Sequence, residues 1–549
     1  MQFSPNDRYR SFDGSQNNLT NSNLGRTGEN LNRLAPSAYA DGIAASAHPN
    51  FPNPRLVSNI FSNQTEFIPD ERNLSSFVWT WGQFIDHDLV STQRQQAEEP
   101  NQQFESLNIS IPEGDPIYQP GSIIPVTRSV FNPDTGNSSD NPRQQINNVS
   151  AWLDGSMIYG SDVERSNWLR TFEGGQLKVS SHETGDFLPI VGDDPNAPNM
   201  DGMGNNPEIF VTGDTRANVN TGLLSFHTLF LREHNRIAQL IDTTHTDLPV
   251  NPIERDEEIY QRTRKIVGAE IQSITYNEFL PALGVTLDPY TGYNPEVDAS
   301  ISNEFATVGY RMGHSQSGET IPLLREDGSL IGSGELNFAQ NTFNPDVLGS
   351  VGGIDSILLG LVTEVQQATD LQVVDGIRNI LFTDPNSDSP VANGTDLAAL
   401  DIQRGRDHGL PSYNDIREAY GLNRLSSFKE ITNDSEVIGN LETLYGDVEQ
   451  IDPIIGMLAE GQLAGASLGE LNEAILEDQF ERTRDGDRFW YENDPDFMVW
   501  DAPQSGSDEV ALEWISQVSL SDIIELNSDI ETFPNDPFFA VQLTDLSTI

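Results

Sequence analysis

An aromatic, apolar stretch, WTWGQFIDHDLV (residues 79–90), ends in Asp86, His87 and Asp88. An imidazole titrates near neutrality, so His87 is suited to moving protons or binding a metal. The flanking carboxylates are costly in apolar surroundings unless they pair, hold a cation or take part in chemistry. The plainer alternative is a helix end where two solvated acids flank a histidine. A second histidine, His314, lies in VGYRMGHSQ, where Gly309 and Gly313 would let a bulky group approach the backbone. An imidazole there can ligate a metal through one nitrogen while a side-chain acceptor holds the other; a satisfied core histidine is the alternative. A third feature is NNVSAWLDGSMIYGS, in which Ser150, the carbonyl of Trp152, Asp154 and Ser156 place oxygens at every second residue. Calcium sites are built from such hard oxygens, and Asp88 would add a carboxylate from elsewhere in the chain. An ordinary Asp-Gly-Ser turn reads the same way.

The remaining histidines are 48, 182, 227, 234, 245 and 408. His48, His182 and His245 sit in polar, loop-like sequence, where a surface role is expected. His227, His234 and His408 lie in helical sequence beside Arg or Asp and read as members of structural ion-pair networks.

These residues need elements to hold them. The apolar spacing predicts a helix over 73–91, with Phe77, Val78, Trp81, Phe84 and Ile85 on its buried side and Asn73 as its cap. A mostly buried helix is predicted from 221 to about 240, followed by a longer amphipathic one from 256 that Pro281 and Gly284 stop. Further helices are expected over 302–316, 354–367, 370–382, 396–408, 412–420, 435–446, 466–484 and 507–517. Strand signals are few. Residues 1–70 read as an irregular wrapping segment, and 93–145 and 176–215 as loop. Without repeats or a clean linker, the expected fold is mainly α, a single large helical domain over 71–549 with long loops and little β.

Composition narrows the partners. Asp plus Glu is 84 against 30 for Lys plus Arg, a net charge of −54. Such a surface repels nucleic acid and anionic membranes, so neither is expected as a partner. There is no cysteine, which excludes disulfides, zinc–thiolate and iron–sulfur sites and a thiolate-ligated haem. No apolar run reaches membrane-spanning length, and MQFSPNDRYR has no signal-peptide core. The chain is read as soluble, and as secreted or extracellular.

The motifs WGQFIDHDL, LDGSMIYGS, GDTRAN, FHTLFLREHNRIA, YRMGHS, DIQRGRDHGLPSYNDIR and RTRDGDRFWYEN, taken in order, resemble those of animal-type haem peroxidases over residues of about 25–515. The absence of cysteine departs from the disulfide-bearing vertebrate members and suggests a bacterial relative. The resemblance implies haem b and Ca2+ as cofactors, and hydrogen peroxide and a small electron donor as partners. It implies His87 as the distal acid–base, Gln83 beside it in the halide and water network, and Arg216 as the distal arginine. Asp86 would form an ester to a haem methyl. His314 would be the iron ligand with Asn414 as its acceptor, and Arg311 and Arg417 would lie near the propionates. The calcium set would be Asp88, Ser150, Trp152, Asp154 and Ser156. The position of a second ester is Val219, and that of a sulfonium link is Asn220, so Asp86 is the only link carried over. The activity implied is oxidation of iodide, bromide, thiocyanate or phenols through a ferryl intermediate.

Two other readings compete. A fatty-acid dioxygenase of the same superfamily would place a radical-forming tyrosine three residues before the proximal histidine. Arg311 stands there, and Tyr310 is one step further back, which on a helix turns it elsewhere. An adhesion or matrix protein would keep the fold without the chemistry, which fits poorly with His87, Arg216 and His314 all present.

Overall fold

The computed structural model describes residues 8–95, 105–201, 206–337, 342–380, 395–503 and 510–543. Helices dominate it, and its largest sheet is one antiparallel hairpin, β1 (Thr320–Leu324) with β2 (Leu330–Asn337). Among the described residues, no helix is long and apolar enough to cross a membrane.

The short helix α1 (Pro54–Phe61) lies inside the stretch read as irregular. Its local signals are present, with the Asn53 side chain capping Leu56 N and proline in its first turn. The strand-free chain before it crosses the molecule. Trp152 Nε1 donates to Gly14 O, and Arg10 forms a forked pair with Asp487 at 2.9 and 2.6 Å. Residues 1–7 of that segment lie outside the described residues.

The helix carrying the opening triplet is α2 (Phe77–Leu89). Phe77, Trp81 and Phe84 recur one turn apart and are fully buried against α3 (Thr221–Thr244). Trp81 meets Phe226 edge-on at 5.5 Å, and Phe84 stacks on Phe230 at 5.4 Å. Each such pair adds roughly 0.5–1.5 kcal/mol beyond the area buried. Asn73 is not the cap of α2. Its φ of +62° places it in a left-handed turn, its amide donates to Ala540 O, and the chain becomes helical only after Ser76. The Ser76 hydroxyl does not cap either; it donates to Glu364.

Helix α4 (Pro252–Ile274) packs on α3 and runs on through a π-turn, Thr275–Phe279, into Leu280–Leu283. Pro281 therefore does not end it; the stop is Gly284, at φ +88°. There a Cβ would lie 2.5 Å from Ala466 Cα. The helix expected over 302–316 is broken into Asn303–Thr307, Gly309–Arg311 and Gly313–Gln316. Helix α5 (Gly353–Thr363) packs on β1, and α6 (Leu397–Asp407) on α1. Later helices are α7 (Tyr413–Ala419), α8 (Glu470–Asp485), α9 (Ala511–Gln517) and α10 (Leu520–Asn527). Of the helix expected over 370–382, a π-turn at Gly376–Ile380 forms, and residues beyond 380 lie outside the described set, as do 507–509.

Candidate active site

The last turn of α2 delivers Asp86, His87 and Asp88, all buried. His87 Nδ1 lies 3.4 Å from Asp214 Oδ1 but makes no aligned hydrogen bond. Burial pushes the His87 pKa well below 6.5. The neighbouring Arg216 charge adds to that, and Asp214 only partly opposes it. The imidazole is therefore neutral at pH 7 and can accept a proton. Arg216 is held by Asp214, which accepts from its backbone N, Nε and Nη2 at 2.7, 2.9 and 2.8 Å. Burial alone would raise the Asp214 pKa; the Arg216 charge together with the hydrogen bonds from Arg216 and the contact with His87 outweighs it and keeps the carboxylate ionised. Arg216 Nη2 also donates to the His87 carbonyl at 3.4 Å. Gln83, one turn before His87, accepts from Asn220 Nδ2 at 2.8 Å, while Asn220 Oδ1 caps α3.

Asp86 ties this group to the next. Its Oδ2 is 3.6 Å from both Arg216 Nη1 and Arg311 Nη1, and its buried Oδ1 has no partner. Arg311 is fixed by donating Nε to Ala306 O at 2.8 Å. The Gly313–Gln316 turn packs against α2 and carries His314. Its Nδ1 is 2.5 Å from Asp401 Oδ2 on α6. Asn414 is not that acceptor: its amide pairs with the backbone of Leu425 in both directions. Arg417 is likewise not brought to the site. Its guanidinium is taken up by Glu460, Glu470 and the Asn423 carbonyl.

Two arginines that sequence reasoning passed over do belong here. Arg404 sits one turn from Asp401 on α6, and burial with the Arg311 charge pulls its pKa down to about 10. Arg94 adds a further positive charge to it. Neither guanidinium has a hydrogen-bond partner among the described residues. The signal in the sequence was the i, i+3 spacing of Asp401 and Arg404 within DIQRGRD. Of the two glycines near His314, Gly309 admits Ile475, which a Cβ would meet at 2.3 Å, while a Cβ on Gly313 would meet only Gln316 Oε1, at 4.0 Å.

The oxygen cluster is assembled as spaced. Asp88, Ser150, Trp152, Asp154 and Ser156 are all buried. Asp88 accepts from Asp154 N, Gly155 N and Ser156 Oγ at 3.0, 3.0 and 2.6 Å, and Asp154 accepts from Ser150 Oγ at 3.0 Å. Burial, then the charge of Asp154, pushes the Asp88 carboxyl up to about 7. His234 and His408 are hydrogen-bonded through both nitrogens to Tyr159, Gly175, Asn303 and Ser129 rather than ion-paired, and neither nitrogen of His227 has a partner.

A family model for "Animal haem peroxidase" matches residues 9–538. The chain belongs to that family. It is 33% identical to Peroxinectin A of Dictyostelium discoideum over 91% of this chain and 92% of the relative. It is 34% identical to Peroxidasin of Drosophila melanogaster over 88% of this chain, which covers 34% of that longer protein. Among solved structures, Peroxidase A from Dictyostelium discoideum superposes with a TM-score of 0.84 at 29% identity, covering 97% of this chain and all of that one. A fatty acid alpha-dioxygenase of Arabidopsis thaliana shares the fold, with a TM-score of 0.75 at 21% identity and 96% of this chain covered. This animal haem peroxidase is an oxidoreductase that uses haem and hydrogen peroxide.

The residues present fit that cofactor. His314 keeps Nε2 free of protein partners among the described residues, as an iron ligand requires. Arg404 and Arg94 have no hydrogen-bond partner among the described residues, and two propionates would bring anions to them and to Arg311. Asp86 Oδ1, Asp401 Oδ1 and His87 Nδ1 are buried polar atoms without partners, and such atoms gather where something else is to be bound.

Proposed function

We propose that the peroxidase reduces hydrogen peroxide with His87 and Arg216 and oxidises small donors, namely iodide, bromide, thiocyanate and phenols. The observation carrying this reading is His87 itself, a buried neutral imidazole with Arg216 hydrogen-bonded to its carbonyl. His314 would hold haem, which would supply redox-active iron. His87 takes the proton from one peroxide oxygen and returns it to the other, which leaves as water. Arg216, permanently charged and held by Asp214, stabilises negative charge on that departing oxygen. Gln83, fixed by Asn220, orders water or halide beside the imidazole. His314 would be the protein's ligand to the iron, and Asp401 orients its ring.

The unpartnered Oδ1 of Asp86 supports a single ester to the haem. Val219 offers no second carboxylate, so haem bound here would be held by fewer links, which would favour easily oxidised donors over chloride. The two buried carboxylates and converging oxygens around Asp88 support calcium, which would tie α2 to the 150–156 loop. The acidic surface supports a secreted protein, with residues 1–70 wrapping a domain over 71–549. For the dioxygenase alternative, the position three residues before His314 is Arg311, and its neighbour Tyr310 stacks on Phe305 at 4.7 Å.

Stopped-flow mixing with peroxide tests the central reading. His87→Ala should slow the reaction by about 10²–10⁴-fold, and Arg216→Ala should slow it through lost charge stabilisation. Rates within a few-fold of the parent in both variants would refute the roles.

A further inference from the structure

Away from the peroxide site, an open groove of about 710 Å³ is lined by Tyr276, Tyr290, Arg484 and Trp490. Three hydrogen-bonding groups around it are buried without partners: Trp490 Nε1, the Tyr290 hydroxyl and Arg484 Nη2. The chemistry described above uses none of them. Those atoms lie beneath the groove surface, and the partly exposed Tyr276 and Tyr290 rings that line it call for a flat apolar body.

The groove is joined to the peroxide site by a file of rings. Trp490 meets Tyr276 at 4.6 Å, Tyr276 meets Phe480 at 5.8 Å, and Phe480 meets Tyr310 at 5.9 Å between centroids. Aromatic clusters are ordinary core packing, so the ends of this one decide its meaning. At the inner end, Tyr310 precedes Arg311, and its buried hydroxyl has no partner. The next residue, Arg311, reaches Asp86 with its Nη1 at 3.6 Å. At the outer end, Tyr276 and Tyr290 are partly exposed in the groove. The break in the 302–316 segment turns Tyr310 toward Phe480.

We propose that this groove is a second donor site, where neutral phenols are oxidised by electron transfer through Trp490, Tyr276, Phe480 and Tyr310 rather than by contact with haem. The phenol gives up one electron and its hydroxyl proton, leaving a phenoxyl radical; the proton goes to water at the open mouth. The electron passes inward along the rings to the haem site, which peroxide has oxidised. In total, two phenols and one hydrogen peroxide give two phenoxyl radicals and two waters. Trp490 suits the outer position because an indole can lose an electron without losing its N–H proton. A neutral donor fits better than an anion, since the chain carries −54 overall and Asp288 and Glu492 line the same groove.

The proposal rests on haem held at His314, and iodide turnover in the same preparations tests that reading separately. Freeze-quench electron paramagnetic resonance of the haem-loaded protein, after one equivalent of peroxide, should show an aromatic radical that Trp490→Phe removes or alters. With 2,6-dimethoxyphenol as donor, Trp490→Phe should lower kcat/KM about tenfold or more relative to iodide. Thr286→Trp, which fills the exposed wall and leaves the rings intact, should lower dimethoxyphenol turnover while keeping the radical signal. Dimethoxyphenol turnover retained in both variants, or falling in step with iodide, would overturn the proposal.

Discussion

Replacing Asp401 with Asn tests the contact that the sequence assigned to Asn414. The two side chains have nearly the same volume, so α6 should stay packed while the acceptor on His314 changes from carboxylate to neutral amide. The parent contact is 2.5 Å long, and Asp401 is only 3% exposed. Burial alone would raise its pKa; the contact and hydrogen bond with His314, helped by the Arg404 and Arg311 charges, outweigh burial and hold it below the usual carboxylate value. A hydrogen bond to a charged group contributes about 1.5–3 kcal/mol and a neutral one about 0.5–1.5 kcal/mol, a difference of about 1–1.5 kcal/mol. An ionised acceptor makes the imidazole a stronger donor and favours the oxidised iron over the reduced one. Removing the charge should raise the ferric–ferrous midpoint potential by about 60 mV, since 1.4 kcal/mol corresponds to about 59 mV for one electron. Losing the negative charge beside Arg404 and Arg311 acts in the same direction. The assay is spectroelectrochemical titration of parent and variant at pH 7, with haem content measured in each. A potential that is unchanged or lower in the haem-loaded variant would refute the reasoning.

Asp154→Ala, or exhaustive chelation, should lower the melting temperature and haem retention together, because an ion that binds only the folded chain stabilises it; absence of calcium from untreated protein by metal analysis would reduce the 150–156 motif to a turn. Asp86→Val should release all haem into acid during denaturing mass spectrometry while the parent retains it after peroxide treatment; two links in the parent would contradict the reading of Val219. Glu364, which accepts from Ser76 at the head of α2, is pushed up to about 7 by burial, against the opposing pull of that hydrogen bond. Its folded pKa lies above the unfolded value, so its stabilising effect is complete below about 4.5 and is lost as pH rises through about 7. Glu364→Gln should therefore gain up to about 3 kcal/mol on the parent between pH 5 and pH 8; a melting-temperature difference that does not change with pH would count against it.

Much of this protein is written in local patterns. The apolar spacing of Phe77, Trp81 and Phe84 sufficed to find α2, because helical periodicity repeats within a few residues. The oxygen spacing of Ser150, Asp154 and Ser156 was visible for the same reason, and so was the Asp86–His87–Asp88 triplet that ordered motifs tied to a haem peroxidase. Backbone choices that depend on distant partners were not visible. Asn73 reads as a cap in isolation, but its amide reaches Ala540. The 302–316 segment has helical letters, yet Gly309 is pressed on Ile475 of α8 and the helix breaks there. His314 and Asp401 are 87 residues apart, and no spacing rule spans that gap. Asn414 was the natural choice from sequence, but its amide is fully engaged by the Leu425 backbone of its own turn. Which acceptor meets the imidazole is set by how α6 packs beside the Gly313–Gln316 turn. The same holds for Asp214 beneath His87 and for the rings from Tyr310 to Trp490. Sequence determined which residue types were available and which faces would be buried; tertiary packing chose the pairs, because a side-chain contact acts over a few ångströms of space however long the chain between its ends.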